Sequence, residues 1–208
     1  MEGRQLIISI GRQCGSGGHE IGEKLASYYG IKLYDRNVIP VLAERMQKDP
    51  DRLAGREEKV SGHLFGARRD GFAAQEGVLM NKLTESDQLF LAERGLIQEL
   101  AEKESFVIIG RGANAILADH PNTLRLYVYA QESFRLPRVR EFYHLDTDAE
   151  AKKKMEHIDK VRREYFEYYT GKVWGSSDVH DFSIDSSIFG IDETVEIIKD
   201  LAARRFGR

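Results

Sequence analysis

Close to its first residues the chain passes from an apolar run, through a glycine-rich turn, into a stretch with helical periodicity. The segment reads "LIISIGRQCGSGGHEIGEKLASYYG" over residues 6–30. The continuous apolar run at 6–10 predicts a strand that is covered on both faces. The apolar stripe from Ile21 onward and the stop at Gly30 predict a helix over residues 18–29. Such a turn presents backbone N–H groups and a helix N-terminus, so we expect phosphate to bind there.

Two phosphate-binding motifs compete for this turn, and each fails at one position. The pattern GxxxxGK[ST] requires its lysine directly after Gly17, where the chain has Gly18. The dinucleotide pattern GxGxxG starts at Gly15 and Gly17 but places its third glycine on Glu20. In favour of that pattern, Asp35 follows the second predicted strand, where a ribose-binding acid belongs. Both motifs predict phosphate at this turn and leave the rest of the ligand open.

The rest of the chain alternates short apolar runs, turns and helical stretches, which predicts an α/β fold with a parallel sheet. Further strands are expected at residues 31–34, 106–109, 124–129 and 182–184. Helices are expected at residues 38–46, from Ser86 as an N-cap, from Ser133 as an N-cap, at 148–170 and at 191–206. Residues 36–85 are the least regular part of the chain, so an insert is predicted there.

Composition narrows the class of protein. The 208 residues are 41% hydrophobic, enough for one domain with a sizeable core. The formal net charge of -3 gives no electrostatic case for nucleic-acid or membrane-surface binding. The apolar runs are far shorter than the ~20 residues of a membrane span and no signal-peptide core is evident, so we expect a cytoplasmic protein. Cys14 is the only cysteine, which excludes an intrachain disulfide and a thiolate zinc site.

Arginines near the strand ends favour a mononucleotide and phosphoryl transfer, because that reaction needs cations that converge on phosphates. Arg111 directly follows the third predicted strand, at the sheet edge where ligands bind. The alternative for Arg111 is a solvated turn residue. In the helical stretch 148–170, Arg162 shares a face with Ile158 and should point inward, to a buried ion pair or to a phosphate. Arg163 lies about 100° further round and is expected nearer to solvent.

Several segments resemble the cytidylate kinase-like proteins, a branch of the P-loop nucleoside monophosphate kinases. The similarity is carried, in order, by "IISIGRQCGSGGHEIGEKLA", "LYDRNVI", "VIIGRGANAIL", "IDKVRREYFEYYTGKVWG" and "DFSIDSSIFGIDETVEII". The resemblance covers most of the chain and implies an α/β, P-loop NTPase-type three-layer fold with a five-stranded parallel sheet. It also implies a single domain over residues 1–208, with an acceptor flap in the insert at 36–85 and a helical lid at 148–175.

The resemblance implies roles for individual residues by their position. The ATP phosphates would lie against Gly15, Ser16, Gly17, Gly18 and His19. Asp35 would lie on the acceptor side, and Arg111 would contact the acceptor phosphate. Arg162 would belong to the lid, with Arg138 and Arg163 as further phosphate contacts. ATP would be bound together with Mg²⁺, whose protein ligands the sequence leaves unassigned.

Departures from the family pattern concern the phosphate turn and the turn after the third strand. Gly18 stands where the P-loop lysine is expected, and the residue after Arg111 is glycine rather than aspartate. Arg12 and His19 are the candidates for the lost cation, and we favour Arg12 because it approaches from the turn itself. A helix N-terminus can lower a thiol pKa, yet we expect Cys14 to be a small turn residue.

These observations predict an ATP-dependent nucleoside monophosphate kinase, most simply for CMP or dCMP, that binds small nucleotides and neither nucleic acid nor membranes. One alternative is a nucleotide-binding regulatory protein that has lost catalysis together with its lysine. A second is an NADP-dependent oxidoreductase that uses Gly15, Gly17, Asp35 and Arg36. In the kinase, residues 148–172 are expected to move toward the phosphates on ligand binding and to exclude water.

Overall fold

The computed structural model describes residues 5–35, 38–47, 49, 51 and 83–207. Arg36 and most of the insert predicted at 36–85 lie outside these residues. The strands in the described part are β1 Ile7–Arg12, β2 Lys32–Tyr34, β3 Phe106–Ile109, β4 Thr123–Tyr129 and β5 Phe182–Asp185. The helices there are α1 Gly18–Tyr29, α2 Val38–Met46, α3 Glu85–Lys103, α4 Ala113–Ile116, α5 Glu132–Phe142, α6 Asp148–Thr170 and α7 Ser186–Phe206.

The five strands form one parallel sheet in the order β2-β3-β1-β4-β5. In the central strand β1, Ile8 pairs with Val107 of β3 on one side and with Leu124 of β4 on the other. The chain leaves β1 toward one edge of the sheet and later crosses to the other edge. A crevice therefore opens at the carboxyl end of β1, where open α/β sheets bind ligands.

Helices cover both faces of the sheet, because successive side chains of β1 point to opposite faces. On one face, Ile8 and Ile10 pack with Ile21 and Leu25 of α1 and with Ile198 of α7. The opposite face packs against α3 and α4, and α2 packs on α3 in a neighbouring cluster. Each fully buried side chain of this kind stabilises the fold by about 1.5–3 kcal/mol. The predicted three-layer α/β fold with a five-stranded parallel sheet is confirmed.

Two helix starts differ from the prediction. Helix α3 has its N-cap at Thr84 and not at Ser86, because Thr84 and Asp87 form a reciprocal capping box. Helix α5 starts after Gln131, which makes no side-chain cap hydrogen bond, and Ser133 lies inside the helix. The cap preference of single residues therefore placed both helix starts two residues too late.

The first strand and the last helix are longer than the sequence pattern indicated. Strand β1 continues past Ile10 to Arg12, so its end forms the start of the glycine loop. Helix α7 begins at Ser186 and not at residue 191, and it is interrupted at Gly190, whose φ of 74° and ψ of 174° are not helical. This early turn of α7 supplies contacts to the glycine loop.

Candidate phosphate-binding site

Gly15 and Gly17 give the loop between β1 and α1 its shape. Their φ angles are 76° and 81°, in the left-handed region that glycine adopts without strain. A Cβ on Gly15 would lie 2.8 Å from the Arg135 carbonyl oxygen, and one on Gly17 would lie 2.1 Å from Ile191 Cδ1. Both the turn and its packing against α5 and α7 therefore require bare backbone. The first N–H groups of α1 find no acceptor within the helix, which suits them to a phosphate.

Hydrogen bonds from inside the protein fix the loop conformation. The Ser16 hydroxyl donates to the Gln13 carbonyl oxygen at 2.9 Å. The Ser186 hydroxyl, at the start of α7, donates to the Ser16 carbonyl oxygen at 2.6 Å. Gln13 N–H donates to the Val128 carbonyl oxygen at 3.0 Å, which ties the turn to β4. Because the Ser16 hydroxyl is engaged within the loop, the phosphate contact predicted for Ser16 would have to use its backbone.

Arg12, the last residue of β1, lies against Gly18, the glycine that stands where the phosphate-binding motif has its lysine. A Cβ on Gly18 would be 2.6 Å from Arg12 Cβ, and a Cβ on Gly110 would be 2.0 Å from Arg12 Nη1. Arg12 Nη2 lies 4.0 Å from Asp35 Oδ1, and the side chain is 13% exposed. The side chain therefore passes between two glycines and fills the space that a side chain at position 18 would need.

His19 and Asp35 meet beside the same arginine. His19 Nδ1 is 3.1 Å from Asp35 Oδ2, and His19 Nε2 is 3.3 Å from Glu23 Oε1. A neutral imidazole has a single N–H, so both contacts are hydrogen bonds only in the protonated ring. Asp35, which the sequence assigned to the acceptor side, thus lies between the two candidates for the missing cation.

Helices α5 and α6 hold the loop through one buried carboxylate. The backbone N–H of Cys14 donates to Asp159 Oδ1 at 2.7 Å, and Arg135 Nε donates to the Cys14 carbonyl oxygen at 2.7 Å. Arg135 also forms an ion pair with Asp159 Oδ2. The inward orientation expected for Arg162 is confirmed, because its side chain is 17% exposed and Nη1 lies 4.0 Å from Asp159 Oδ1. The lid-like helix therefore contacts the loop in this structure.

The thiol of Cys14 belongs to the apolar contact between the loop and these helices. Cys14 packs in a buried cluster with Val139, Ala151 and Met155. Burial raises the pKa of the thiol, opposite to the lowering that a reactive cysteine at a helix N-terminus would show. The structure therefore favours the interpretation of Cys14 as a small turn residue over that of a reactive thiol, and it adds that the side chain is buried.

Arg138 and Arg163 lie in different surroundings. Arg138 Nη2 is 3.7 Å from the position of a Cβ on Gly17 and is 2.7 Å from Glu20 Oε2. This arginine is therefore beside the loop. Arg163 is exposed, as expected, and its guanidinium lies 5.7 Å from the centroid of the Trp174 ring. The phosphate contacts suggested for both residues stay predictions.

Arg111 is buried and is not a solvated turn residue. Its Nη1 pairs with Glu93 Oε1 at 2.9 Å, and the two side chains are 5% and 2% exposed. The Tyr165 hydroxyl donates to Glu93 Oε2 at 2.7 Å. Burial, followed by the charge of Glu93, raises the pKa of Tyr165. Arg111 thus joins the β3 turn to α3 and α6. No sequence signal pointed to Glu93, and contact of Arg111 with an acceptor phosphate stays a prediction.

A small cavity lies at the carboxyl ends of β1 and β3. Its volume is about 20 Å³, and it is lined by glycines of both turns, Arg12, Asn114, Phe166, Trp174 and His180. This is room for about one water molecule. A wider, open groove of about 670 Å³ lies along α5 and the start of α6, and its lining contains no residue of the glycine loop.

The described residues contain no group of three or more His, Cys, Asp or Glu side chains that could hold a metal ion. Across the same part of the chain, no helix combines the length and apolar character needed to cross a membrane.

The sheet order and the glycine loop between β1 and α1 define a P-loop kinase fold. A shikimate kinase from Acinetobacter baumannii is similar with a TM-score of 0.51 and 13% identity, over 97% of this chain and 94% of that chain. A gluconokinase from Sinorhizobium meliloti is similar with a TM-score of 0.50 and 14% identity, over 98% and 97%. At these identities the likeness shows the fold alone.

Residues 7–188 match the sequence profile of the cytidylate kinase-like family, and the chain belongs to that family. An uncharacterized protein from Eubacterium ventriosum is similar in structure with a TM-score of 0.72 and 28% identity, over 97% of this chain and 100% of that chain. No curated protein matches the sequence. Family and fold together support a phosphotransferase.

The strand order argues against the oxidoreductase alternative. In dinucleotide-binding sheets β1 neighbours β2, in the order 3-2-1-4-5-6. Here β3 lies between β1 and β2. Arg36, which that alternative requires, lies outside the described residues.

Proposed function

We propose that this protein transfers the γ-phosphoryl group of ATP to a nucleoside monophosphate, with CMP and dCMP as the first acceptors to test. The observation that carries the proposal is the place of Arg12, which fills the space beside Gly18 where the motif lysine would start. A guanidinium is permanently charged and offers several N–H donors to phosphate oxygens. The site thus retains a cation at the loop although the lysine is absent.

The arrangement suits a reaction that depends on positioning and charge. The loop and the N-terminus of α1 would hold the phosphates of ATP. Arg12 lies between the β1 loop and Gly110 of the β3 turn, and so between the proposed donor and acceptor sides. A cation there would neutralise charge as it develops on the transferred group.

Two further arginines would supply charge from the helices that cover the loop. Arg138 lies beside Gly17, and Arg162 points inward from α6 toward Asp159. Because α6 already contacts the loop through Cys14 and Asp159, closure of residues 148–172 over ATP would rearrange an existing contact. Closure of that kind excludes water from the phosphoryl group.

The described residues fit a metal that is held mainly by phosphates. Mg²⁺ in kinase sites is bound by one or two carboxylates together with phosphates and water, so a single carboxylate beside the loop would suffice. Asp35, beside Arg12 and His19, is the carboxylate that would hold it. When bound, Mg²⁺ neutralises charge on the β- and γ-phosphates.

The test is ADP formation from Mg²⁺-ATP by the purified protein, with a panel of nucleoside monophosphates, with shikimate and gluconate, and without acceptor. Stimulation by CMP, dCMP or UMP supports the proposal and names the acceptor. Stimulation by shikimate or gluconate alone would replace the proposed acceptor class. ATP binding without stimulation by any compound would contradict kinase turnover.

A nucleotide-binding regulator without turnover is the second candidate. It is favoured by the hydrogen bond from Cys14 N–H to Asp159, through which a change in the loop would reach α6 directly. This candidate predicts that ATP binding alters hydrogen exchange in α6 while no acceptor stimulates ADP formation.

A further inference from the structure

A polar chain runs under the carboxyl ends of β1 and β4. The Ser9 hydroxyl donates to Asn114 Oδ1, and Asn114 Nδ2 donates to the Leu126 carbonyl oxygen at 2.9 Å. Asn114 Nδ2 also contacts His180 Nδ1. A backbone carbonyl can only accept, so the amide nitrogen of Asn114 must face Leu126. The orientation of Asn114 is thereby fixed.

This orientation selects one tautomer of His180. The amide nitrogen of Asn114 has two hydrogens. One is donated to the Leu126 carbonyl oxygen and the other to His180, so Nδ1 of the ring is the acceptor. Burial, followed by the charge of Arg125, lowers the pKa of His180 to about 4. The ring is therefore neutral near pH 7 and carries its proton on Nε2.

The Nε2–H group of His180 is a buried donor. Among the described residues it has no hydrogen-bond partner. The residue is 7% exposed, and its ring stacks on Tyr127 with centroids 4.9 Å apart and planes at 19°. Stacking and the Asn114 contact hold the ring in place. A buried donor of this kind calls for an oxygen or nitrogen acceptor, and residues 5–35, 38–47 and 83–207 place none there.

The cavity at the ends of β1 and β3 is where such a partner fits. The cavity of about 20 Å³ is lined by His180, by Gly110 of the β3 turn and by Arg12, which lies between the proposed donor and acceptor sides. We propose that this cavity is the buried end of the acceptor site and that His180 Nε2–H donates a hydrogen bond to an uncharged oxygen of the phosphoryl acceptor. This proposal rests on the proposed function.

The chemistry of the walls indicates which part of the acceptor reaches His180. The lining combines the apolar rings of Phe166 and Trp174 with the guanidinium of Arg12. The neutral ring of His180 offers one N–H group, which suits a hydroxyl or carbonyl oxygen of the acceptor, whereas the charge of Arg12 suits a phosphate oxygen. The arginines at the loop are the partners for phosphate groups.

The first test is nuclear magnetic resonance of the imidazole nitrogens in the 15N-labelled protein at pH 7. His180 should show the Nε2–H tautomer. CMP, dCMP, UMP or shikimate, added without ATP, should shift the Nε2–H signal if it is the acceptor, whereas Mg²⁺-ADP should not. An Nδ1–H tautomer, or a signal that none of the four compounds shifts, overturns the proposal.

Two variants separate recognition from folding. His180→Asn keeps a polar atom near Nδ1 for Asn114 and removes the Nε2 donor, and His180→Gln restores a donor near the Nε2 position. Loss of one hydrogen bond should raise the acceptor KM about 10-fold in His180→Asn and about 3-fold or less in His180→Gln, with the ATP KM unchanged. Equal changes in both KM values, or an unchanged acceptor KM in His180→Asn, overturn the proposal.

The experiments distinguish a failure of the role proposed for His180 from a failure of the proposed kinase activity. Phosphorylation of an acceptor by the wild type, without any shift of the His180 signal, refutes the role of His180 and leaves the kinase standing. If no compound is phosphorylated, the kinase proposal fails, and the His180 signal alone shows whether a compound binds at the cavity. A shift by one of the four compounds then supports the site, and its absence refutes it.

Discussion

Arg12 and Gly18 depend on each other: a Cβ at position 18 would lie 2.6 Å from Arg12 Cβ, closer than two such carbons approach in folded proteins. The absence of the motif lysine is thus coupled to an arginine six residues earlier in the chain. The cation and the glycine form one arrangement, in which the side chain enters from the end of β1 instead of the start of α1.

This relationship predicts that the effect of Gly18→Ala on the free energy of unfolding depends on whether the Arg12 side chain is present. In the wild type this change should lower the free energy of unfolding by about 1–3 kcal/mol, because the added methyl meets Arg12. In Arg12→Gly the same change should cost less than about 0.5 kcal/mol. Urea unfolding of the wild type, the two single variants and the double variant measures the difference. The control is Gly95→Ala, where a Cβ would meet nothing within 4 Å. Equal costs in both backgrounds would refute the coupling.

Asp159 is expected to stabilise the loop more than exposed acids do. Asp159→Asn leaves the buried guanidinium of Arg135 without its charge partner, and a loss of about 3 kcal/mol or more is typical of a broken buried pair. Glu164→Gln is the matched control on α6, because its contact with Lys160 at 3.8 Å is exposed and such pairs contribute about 0–1 kcal/mol. Similar losses in both variants, measured by chemical unfolding, would show that the buried contact is unimportant.

Removal of the Tyr165 hydroxyl should lower the stability of the protein, because its hydrogen-bond partner Glu93 is buried. Tyr165→Phe takes away the donor that lies 2.7 Å from Glu93 Oε2, and a hydrogen bond to a charged group contributes about 1.5–3 kcal/mol. Tyr28→Phe removes a hydroxyl from a side chain that is 60% exposed and should change stability by less than about 0.5 kcal/mol. Thermal unfolding compares the two, and indistinguishable melting temperatures would count against the buried network of Arg111.

The pH dependence of stability should contain a contribution from His180. Its pKa falls from 6.5 to about 4 on folding, so between these values the unfolded chain binds a proton that the folded protein does not. The free energy of unfolding should therefore decrease as the pH falls from 6.5 to 4, by up to about 3 kcal/mol, and this group should have no effect above that range.

His180→Gln removes this titration and provides the comparison. Denaturant unfolding at pH 7, 5.5 and 4 should show the wild type losing more stability than the variant. A parallel decrease in the two proteins would mean that His180 is not the buried neutral group described above.

Periodicity and turn chemistry are local properties, and they predicted most elements well. The helices at 18–29, 38–46 and 148–170 and the strand at 106–109 have the expected bounds. The inward direction of Arg162 also followed from its phase on α6. Each of these patterns repeats between residues that are close in the chain, so no knowledge of packing was needed.

Pairs between distant residues could not be predicted from one sequence. Cys14 N–H and Asp159 are 145 residues apart in the chain, and Asn114 and His180 are 66 apart. Glu93, Asn114 and His180 carry no motif of their own, and only the packing of α3, α4 and the segment before β5 brings them to the turns. The resemblance to the kinase family predicted that the glycine loop binds phosphate, whereas the steric relation of Arg12 to Gly18 depends on the three-dimensional packing of the loop.

The most direct test of kinase activity and of the role of Arg12 is phosphorus NMR of the reaction of Mg²⁺-ATP with CMP, with wild type, Arg12→Ala and His19→Ala compared under identical conditions. The wild type should form CDP and ADP in equal amounts. Arg12→Ala should lose at least about 100-fold in rate, because an arginine at the transferred phosphoryl group carries much of the catalysis, and His19→Ala should retain activity. CDP formed as fast by Arg12→Ala as by the wild type would contradict the role of Arg12, and no CDP, dCDP or UDP from the corresponding monophosphates would contradict the proposed reaction.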